Sequence, residues 1–224
     1  MQLEKTTKRQ KKEEKRRFDD ACGLAHALEL LGERWAMLVL RELAYGPRRF
    51  SELRADLAGI SANVLTQRLT ELEERGLVRK VRLPPPASVQ VYEATQWGLE
   101  AIPTIAALGR WAARSPFHDP TLRMSHVSVI MSLQTLLSPE RAQGLDARIG
   151  FRFGDADYLT TLRGGRLDVE RGPVSDCDVT FAGPPSAVAG VIHGGAPFET
   201  IRVEGDQALA KRFVKLFPLP EKVA

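Results

Sequence analysis

This chain is poor in cysteine and histidine and has no long apolar run, and each shortage closes a class of function. Its two cysteines, Cys22 and Cys177, stand far apart with no C-x-x-C or Cys/His ligand spacing, which argues against a disulfide scaffold or a structural zinc. Four histidines, His26, His118, His126 and His193, form no H-x-x-x-H pair, and no G-x-S-x-G elbow occurs. The D-x-D pairs Asp155/Asp157 and Asp176/Asp178 flank predicted turns, where Asp bonds its own backbone. No catalytic residue, metal ligand or cofactor is therefore assigned, and the chain does not read as an enzyme. The longest apolar runs, such as Trp35 to Leu40, are far too short to span a bilayer. Met1 to Asp20 is charged and lacks an apolar core, so it does not read as a secretory signal. A reducing, cytoplasmic protein without a membrane partner is the expectation.

What the chain does have is charge, unevenly divided. Up to His118 there are 20 Lys and Arg against 15 Asp and Glu, a net +5, whereas Asp119 to Ala224 carries 12 against 13, a net −1. The basic excess belongs to the first half, where a polyanion would bind. With 224 residues, 43% of them apolar, two ordinary cores fit better than one large one. The division reads as a basic arm at 1–19, a helical and hairpin unit at 20–114, a linker at 115–121 bracketed by Pro116 and Pro120, and a second unit at 122–224. In the arm, Lys5, Lys8, Arg9, Lys11, Lys12, Lys15, Arg16 and Arg17 suit either a frayed tail or a segment that follows DNA phosphates.

Leu24, Ala27, Leu28 and Leu31 recur at helical spacing, and Gly32 closes that helix. Trp35 to Ala44 is apolar around most of its circumference and is predicted to lie at the centre of the unit. Ser51 offers an N-cap, with Phe50 as a staple, for a short helix holding Leu53 and Leu57, and Ser61 offers the next cap. From Ala62 to Arg75 the two faces separate cleanly. Leu65, Leu69 and Leu72 form an apolar stripe, while Asn63, Thr66, Gln67, Thr70 and Glu74 share the opposite side.

Asn and Gln amides pair bidentately with adenine, and Thr bonds a base edge or touches a thymine methyl, so this helix suits a major groove. A merely solvated face would look the same from sequence. After Gly76, Leu77 to Leu83 and Val89 to Thr95 alternate as two strands around a Pro84-Pro85-Pro86 tip. Arg79, Lys80 and Arg82 make that hairpin a basic wing for phosphates or the minor groove. Trp97 to Arg114 follows as an apolar helix interrupted near Pro103.

In order and spacing, Cys22-Gly23-Leu24-Ala25, Gly32-Glu33-Arg34-Trp35, Leu40-Arg41-Glu42-Leu43, Gly46-Pro47-Arg48-Arg49-Phe50-Ser51-Glu52-Leu53 and Gly59-Ile60-Ser61-Ala62-Asn63-Val64-Leu65-Thr66-Gln67-Arg68-Leu69 resemble the HxlR-type regulators of the broader MarR-like group. The resemblance implies a winged helix-turn-helix homodimer on a pseudo-palindromic double-stranded DNA operator. It places Ser61, Asn63, Thr66, Gln67 and Arg68 at the reading helix and Arg48 and Arg49 near backbone phosphates. The first helix and the one after the wing would form the dimer interface. Where the family continues its last strand as Tyr-x-Leu-Thr, this chain has Tyr92-Glu93-Ala94-Thr95, with one apolar anchor fewer. Some relatives use a cysteine at the position of Cys22 as a redox sensor, and Arg16 and Arg17 nearby favour a thiolate; a small buried hydrophobe is the other reading of that residue.

Beyond the linker, Met124 to Leu137 reads as a helix, then Ile149 to Phe153, Tyr158 to Leu162, Leu167 to Glu170 and Val179 to Phe181 as strands, with helices at Pro185 to His193 and Asp206 to Phe217. Tyr158 to Leu167, Cys177 to Phe181 and Val203 to Asp206 leading into Leu209 to Phe217 resemble a sterol-carrier-type domain. That resemblance implies an α+β unit around an apolar cavity for a lipid-like or polycyclic ligand. Leu162, Phe181, Val188, Ile192, Phe213 and Phe217 would line it, unless the same residues close into an ordinary core. The combined reading is a sequence-specific transcriptional repressor of the α+β class whose operator affinity follows a hydrophobic small molecule bound in the C-terminal domain. The alternative is a hydrophobic small-molecule carrier in which DNA binding is secondary.

Overall fold

The computed structural model describes residues 18–223. The basic arm, 1–17 of its expected 1–19, lies outside the described residues. In the N-terminal half, helices α1 (Gly23–Leu31), α2 (Ala36–Glu42), α3 (Phe50–Asp56) and α4 (Ala62–Glu74) precede strands β1 (Val78–Arg82) and β2 (Gln90–Ala94), then α5 (Gln96–Glu100) and α6 (Ile102–Ala112). The expected long helix after the wing is thus two, broken at Ala101, with Pro103 seated in the first turn of α6, where its missing N–H costs nothing. α2 supplies the centre through the buried Ala36, Val39 and Leu40, and Leu53, Leu65, Leu69 and Leu72 pack around it. Each fully buried Leu contributes roughly 1.5–3 kcal/mol.

Ser61 caps α4, its hydroxyl accepting from the Val64 N–H at 3.3 Å. α3 differs from expectation: it starts at Phe50, one residue before Ser51, and Arg49 is the capping position. The Glu52 carboxylate accepts from the Arg49 N–H at 2.8 Å and takes over the stabilisation expected of the serine. α4 ends on Gly76 at φ +74°, with the Gly76 N–H donating to Glu73 and the Leu77 N–H to Leu72. This left-handed exit turns the chain straight into β1 and is disfavoured for any residue with a Cβ.

β1 and β2 pair antiparallel from Val78↔Ala94 to Arg82↔Gln90, so the shorter Ala94 keeps the register. A reciprocal pair of hydrogen bonds between the backbones of Arg48 and Tyr92, both 2.8 Å, adds the segment before α3 to the hairpin edge. Thr95 closes the unit: its hydroxyl donates to the Gly76 carbonyl at 2.7 Å and accepts from the Gly98 N–H at 3.1 Å.

The C-terminal half comprises α7 (His126–Leu136), α8 (Pro139–Ala142), β3 (Ala147–Arg152), β4 (Asp157–Arg163), β5 (Arg166–Arg171), β6 (Val179–Ala182), α9 (Pro185–His193), β7 (Arg202–Gly205) and α10 (Gln207–Phe213). α8 and β7 were not expected from sequence; each is only four residues long. The sheet order is β5-β4-β3-β6-β7, antiparallel except for the parallel β3/β6 pair. Ile149, Phe151, Tyr158, Leu162, Val179 and Phe181 point to one face, which α7, α9 and α10 help to cover.

Two of the six residues expected to line a ligand cavity, Leu162 and Phe181, lie on the strands β4 and β6; Val188 and Ile192 belong to α9, Phe213 to α10, and Phe217 follows it. Leu162, Phe181, Val188, Ile192, Phe213 and Phe217 are all buried members of one continuous core. Phe181 and Phe213 lie 5.9 Å apart between ring centroids, and Phe213 meets Phe217 edge-on at 4.9 Å. These rings therefore pack on one another within that core.

Candidate nucleic-acid interface

α4 has one face locked and one face free to read. Leu65, Leu69 and Leu72 are buried, whereas Ser61, Asn63, Thr66, Gln67 and Thr70 are exposed. The Thr66 hydroxyl donates to the Ala62 carbonyl at 2.9 Å, which fixes its rotamer on the exposed face. The Gln67 amide donates to Glu71 at 2.9 Å, an i,i+4 bond that holds it ready while leaving its carbonyl oxygen available.

Arg68 departs from the expected reading set. It is 6% exposed, paired with Glu71 and lying 3.4 Å from Glu33, so it joins α4 to the α1–α2 turn. Its position was available in the periodicity: it lies three residues after Leu65 and four before Leu72, on the apolar stripe. Arg48 departs too. It is 3% exposed, and its guanidinium bonds Asp56 at 2.5 Å and Glu52 at 3.3 Å with Glu42 at 3.7 Å, so its charge is met within the fold. Extended backbone alternates faces, so its neighbour Arg49 is the exposed one.

On the wing, Arg79, Lys80 and Arg82 are exposed. Arg79 pairs across the ladder with Glu93, and the Lys80 ammonium sits 5.5 Å from the Tyr92 ring centroid. Cys22 is a free, exposed thiol preceding α1, not a core residue; Arg16 and Arg17 lie outside the described residues.

A buried polar network that sequence reasoning missed joins the base of this interface to the C-terminal half. Asp56, bonded to Arg48, also lies 3.2 Å from His126 Nε2, and His126 Nδ1 is 2.7 Å from the Tyr158 hydroxyl. Because Asp56 only accepts, Nε2 carries a proton, and Nδ1 shares a hydrogen bond with the Tyr158 hydroxyl. Burial alone would raise the Asp56 pKa, but hydrogen bonds from His126 and Arg48 outweigh it and hold the carboxyl down to about 2. Burial pushes the Tyr158 phenol up, so it stays a neutral donor. Alongside, the Ser125 hydroxyl donates to Glu42 at 2.8 Å, and Tyr45 donates to Gln134 at 2.6 Å. These contacts join residues far apart in the chain, 83 residues for Glu42 and Ser125, and carry no local sequence signal.

Among the described residues no group of His, Cys, Asp and Glu is placed to hold a metal, and no helix is long and apolar enough to cross a membrane. Residues 30–118 match the model of the HxlR-like helix-turn-helix family. Over 86 residues the chain is 35% identical to the uncharacterized helix-turn-helix-type transcriptional regulator YvaP of Bacillus subtilis, covering 38% of this chain and 80% of that protein. The chain belongs to the HxlR-like helix-turn-helix family. A second relative of this HxlR-type chain, YkvN of Bacillus subtilis, is 38% identical over 92 residues, 41% of this chain and 77% of its own length. The solved structure of the reduced form of the transcriptional regulator YodB from Bacillus subtilis is 31% identical, covers 45% of this chain and 98% of its own, and has a TM-score of 0.39.

Proposed function

We propose that this HxlR-type protein is a homodimeric transcriptional repressor that reads double-stranded operator DNA with α4 and follows the phosphates with its wing. The observation that carries the reading is the division of α4: an exposed amide and hydroxyl face at Asn63, Thr66 and Gln67 on a helix whose other face is fixed in the core. Arg49, Lys80 and Arg82 add exposed positive charge at α3 and the wing. Dimerisation is supported by Leu24 at 68% and Trp111 at 70% exposure, too much apolar surface on α1 and α6 to leave in water. A hydrophobic small molecule bound by the C-terminal half modulates operator affinity, and the accessible Cys22 thiol adds a redox response.

Fluorescence anisotropy against DNA upstream of the protein's own gene, with random-sequence competitor, tests the reading. Gln67→Ala costs about 1–3 kcal/mol on the operator and relaxes base preference, whereas Lys80→Ala weakens all sequences together and flattens the salt dependence. Identical behaviour of the two variants would refute α4 as the reading helix.

A further inference from the structure

Between the two halves lies a cavity of about 620 Å³, a size typical of small-molecule sites. Both halves and the linker wall it: α2 contributes Met37 and Leu38, α6 contributes Ile105 and Leu108, and α7 contributes Met131. On the α6 side the lining shrinks to Ala106, Gly109 and Ala112, and a Cβ built on Gly109 meets no atom within 4 Å. The outer wall is fastened rather than loose. The Lys222 ammonium donates to the carbonyls of Ala113, Ser115 and His118 at 3.1, 2.9 and 3.0 Å, which ties the C-terminal tail over the linker.

The charges around this apolar hollow are not balanced. Its two carboxylates are both engaged, Asp56 by Arg48 and His126 and Asp119 by the Thr121 hydroxyl and N–H. Arg41 is bound to Glu42 at 2.6 Å, and Arg123 donates to the Ala55 carbonyl at 3.1 Å. Arg110 differs: whereas Arg123 also lies 3.9 Å from Asp56, the exposed Arg110 guanidinium donates to the Thr135 carbonyl at 2.6 Å and acts on Glu140 electrostatically without an ion pair among the described residues. An apolar groove with this cation at its wall is complementary to an apolar molecule bearing a single carboxylate.

We infer that this junction cavity binds an apolar carboxylate, with its hydrocarbon or ring body among Met37, Leu38, Ile105 and Met131 and its carboxylate on Arg110. The inference deepens the regulator reading and rests on it, placing the effector between the halves instead of within the packed core. It also supplies a route to DNA. Arg41 and Asp56 line the cavity and bond Glu42 and Arg48, and the Arg48 backbone is hydrogen-bonded to Tyr92 of the wing. A ligand that displaces either side chain changes what seats the wing.

The test titrates the full-length protein with cis-parinaric acid, a fluorescent polyene carboxylate, and with its uncharged methyl ester. Saturable binding of one acid per chain is expected. Gly109→Leu, which improves helix propensity and whose Cβ meets no atom within 4 Å, abolishes it without lowering thermal stability. Arg110→Gln weakens the acid by roughly tenfold or more, as expected for loss of a charged hydrogen bond, and leaves the ester unchanged. Wild-type binding by folded Gly109→Leu, or equal affinity for acid and ester, would overturn the site. So would probe binding that falls as sedimentation shows the chain self-associating, since a second copy would then occupy the groove. Operator affinity is measured separately. Acid binding with this pattern in a protein that prefers no DNA sequence sustains the site and removes the regulator reading, whereas specific DNA binding untouched by saturating acid overturns the route through Arg41 and Asp56.

Discussion

Replacing Arg48 by Met separates a structural guanidinium from a phosphate-binding one. Arg48 is 3% exposed and faces Asp56, Glu52 and Glu42, of which Glu42 is itself 1% exposed. Breaking a buried ion pair from one side costs about 3–5 kcal/mol, because the partner charge remains buried without compensation. Here part of that compensation survives. Glu42 keeps Arg41 at 2.6 Å and Ser125 at 2.8 Å, and Asp56 keeps His126 at 3.2 Å. The loss therefore falls at the lower end, about 3 kcal/mol, or a fall of roughly 6–12 °C in Tm for a chain of this size.

The assay is urea unfolding followed by tryptophan fluorescence, since Trp35, Trp97 and Trp111 all lie in the N-terminal half and report that half alone. Arg49→Met is the internal control. As an exposed side chain it stays within about 0.5 kcal/mol of wild type, while lowering the salt slope of DNA binding by about one. If instead Arg48→Met leaves stability within about 0.5 kcal/mol and lowers the salt slope, Arg48 contacts phosphate and the buried network is not what holds it.

Three further outcomes follow from the same geometry. Asp56 is held down from 3.8 to about 2 in the folded chain, so its contribution is complete above the unfolded value and is lost as pH falls from about 4 to 2; allowing for its partial accessibility, acid titration of stability shows a loss of about 1–2 kcal/mol that Asp56→Asn lacks. Tyr158→Phe removes the hydrogen-bond partner of His126 Nδ1 and costs about 1–2 kcal/mol in urea unfolding. Gly98→Ala drives a Cβ into the Leu77 carbonyl and against Leu40 and costs about 1–3 kcal/mol, measured as a lower Tm, while Gly109→Ala, with open space around it, does not.

Legibility in the sequence followed the range of the interactions. The faces of α4, the Ser61 cap, the Gly76 exit and the paired wing strands depend on neighbours within a few residues, and periodicity alone located them. The arginines show where that stops. Arg48 and Arg49 are chemically alike and adjacent, and only the bridge to Tyr92 decides which turns inward. Arg68 falls on the apolar stripe by its spacing, three residues after Leu65 and four before Leu72, although the family resemblance places it at the reading helix. In the C-terminal half Leu162, Phe181, Val188, Ile192, Phe213 and Phe217 are all buried, but apolarity in sequence cannot distinguish a lined cavity from a filled one. The junction cavity escaped for a different reason: its walls come from α2, α6, the linker, α7 and the tail, no two of which share a local pattern.

The junction chemistry explains how a second unit can matter to a helix it does not cover. α3 is only seven residues long, too short to be stable without tertiary contacts. Its Glu52 and Asp56 both hold Arg48, and Asp56 in turn is held by His126 from the first turn of α7. A shift of α7 is costly either way: Asp56 follows His126 and loosens the Arg48 guanidinium, or it stays and leaves a buried imidazole N–H unpaired, costing about 1–3 kcal/mol. The first outcome reaches Tyr92 through the backbone bridge of Arg48, so that part of the cost of moving the C-terminal half is borne at the base of the wing. A purely apolar junction of the same area would let the halves slide with little directional consequence, which makes the buried ion pairs a device for transmitting position in preference to one for adding stability.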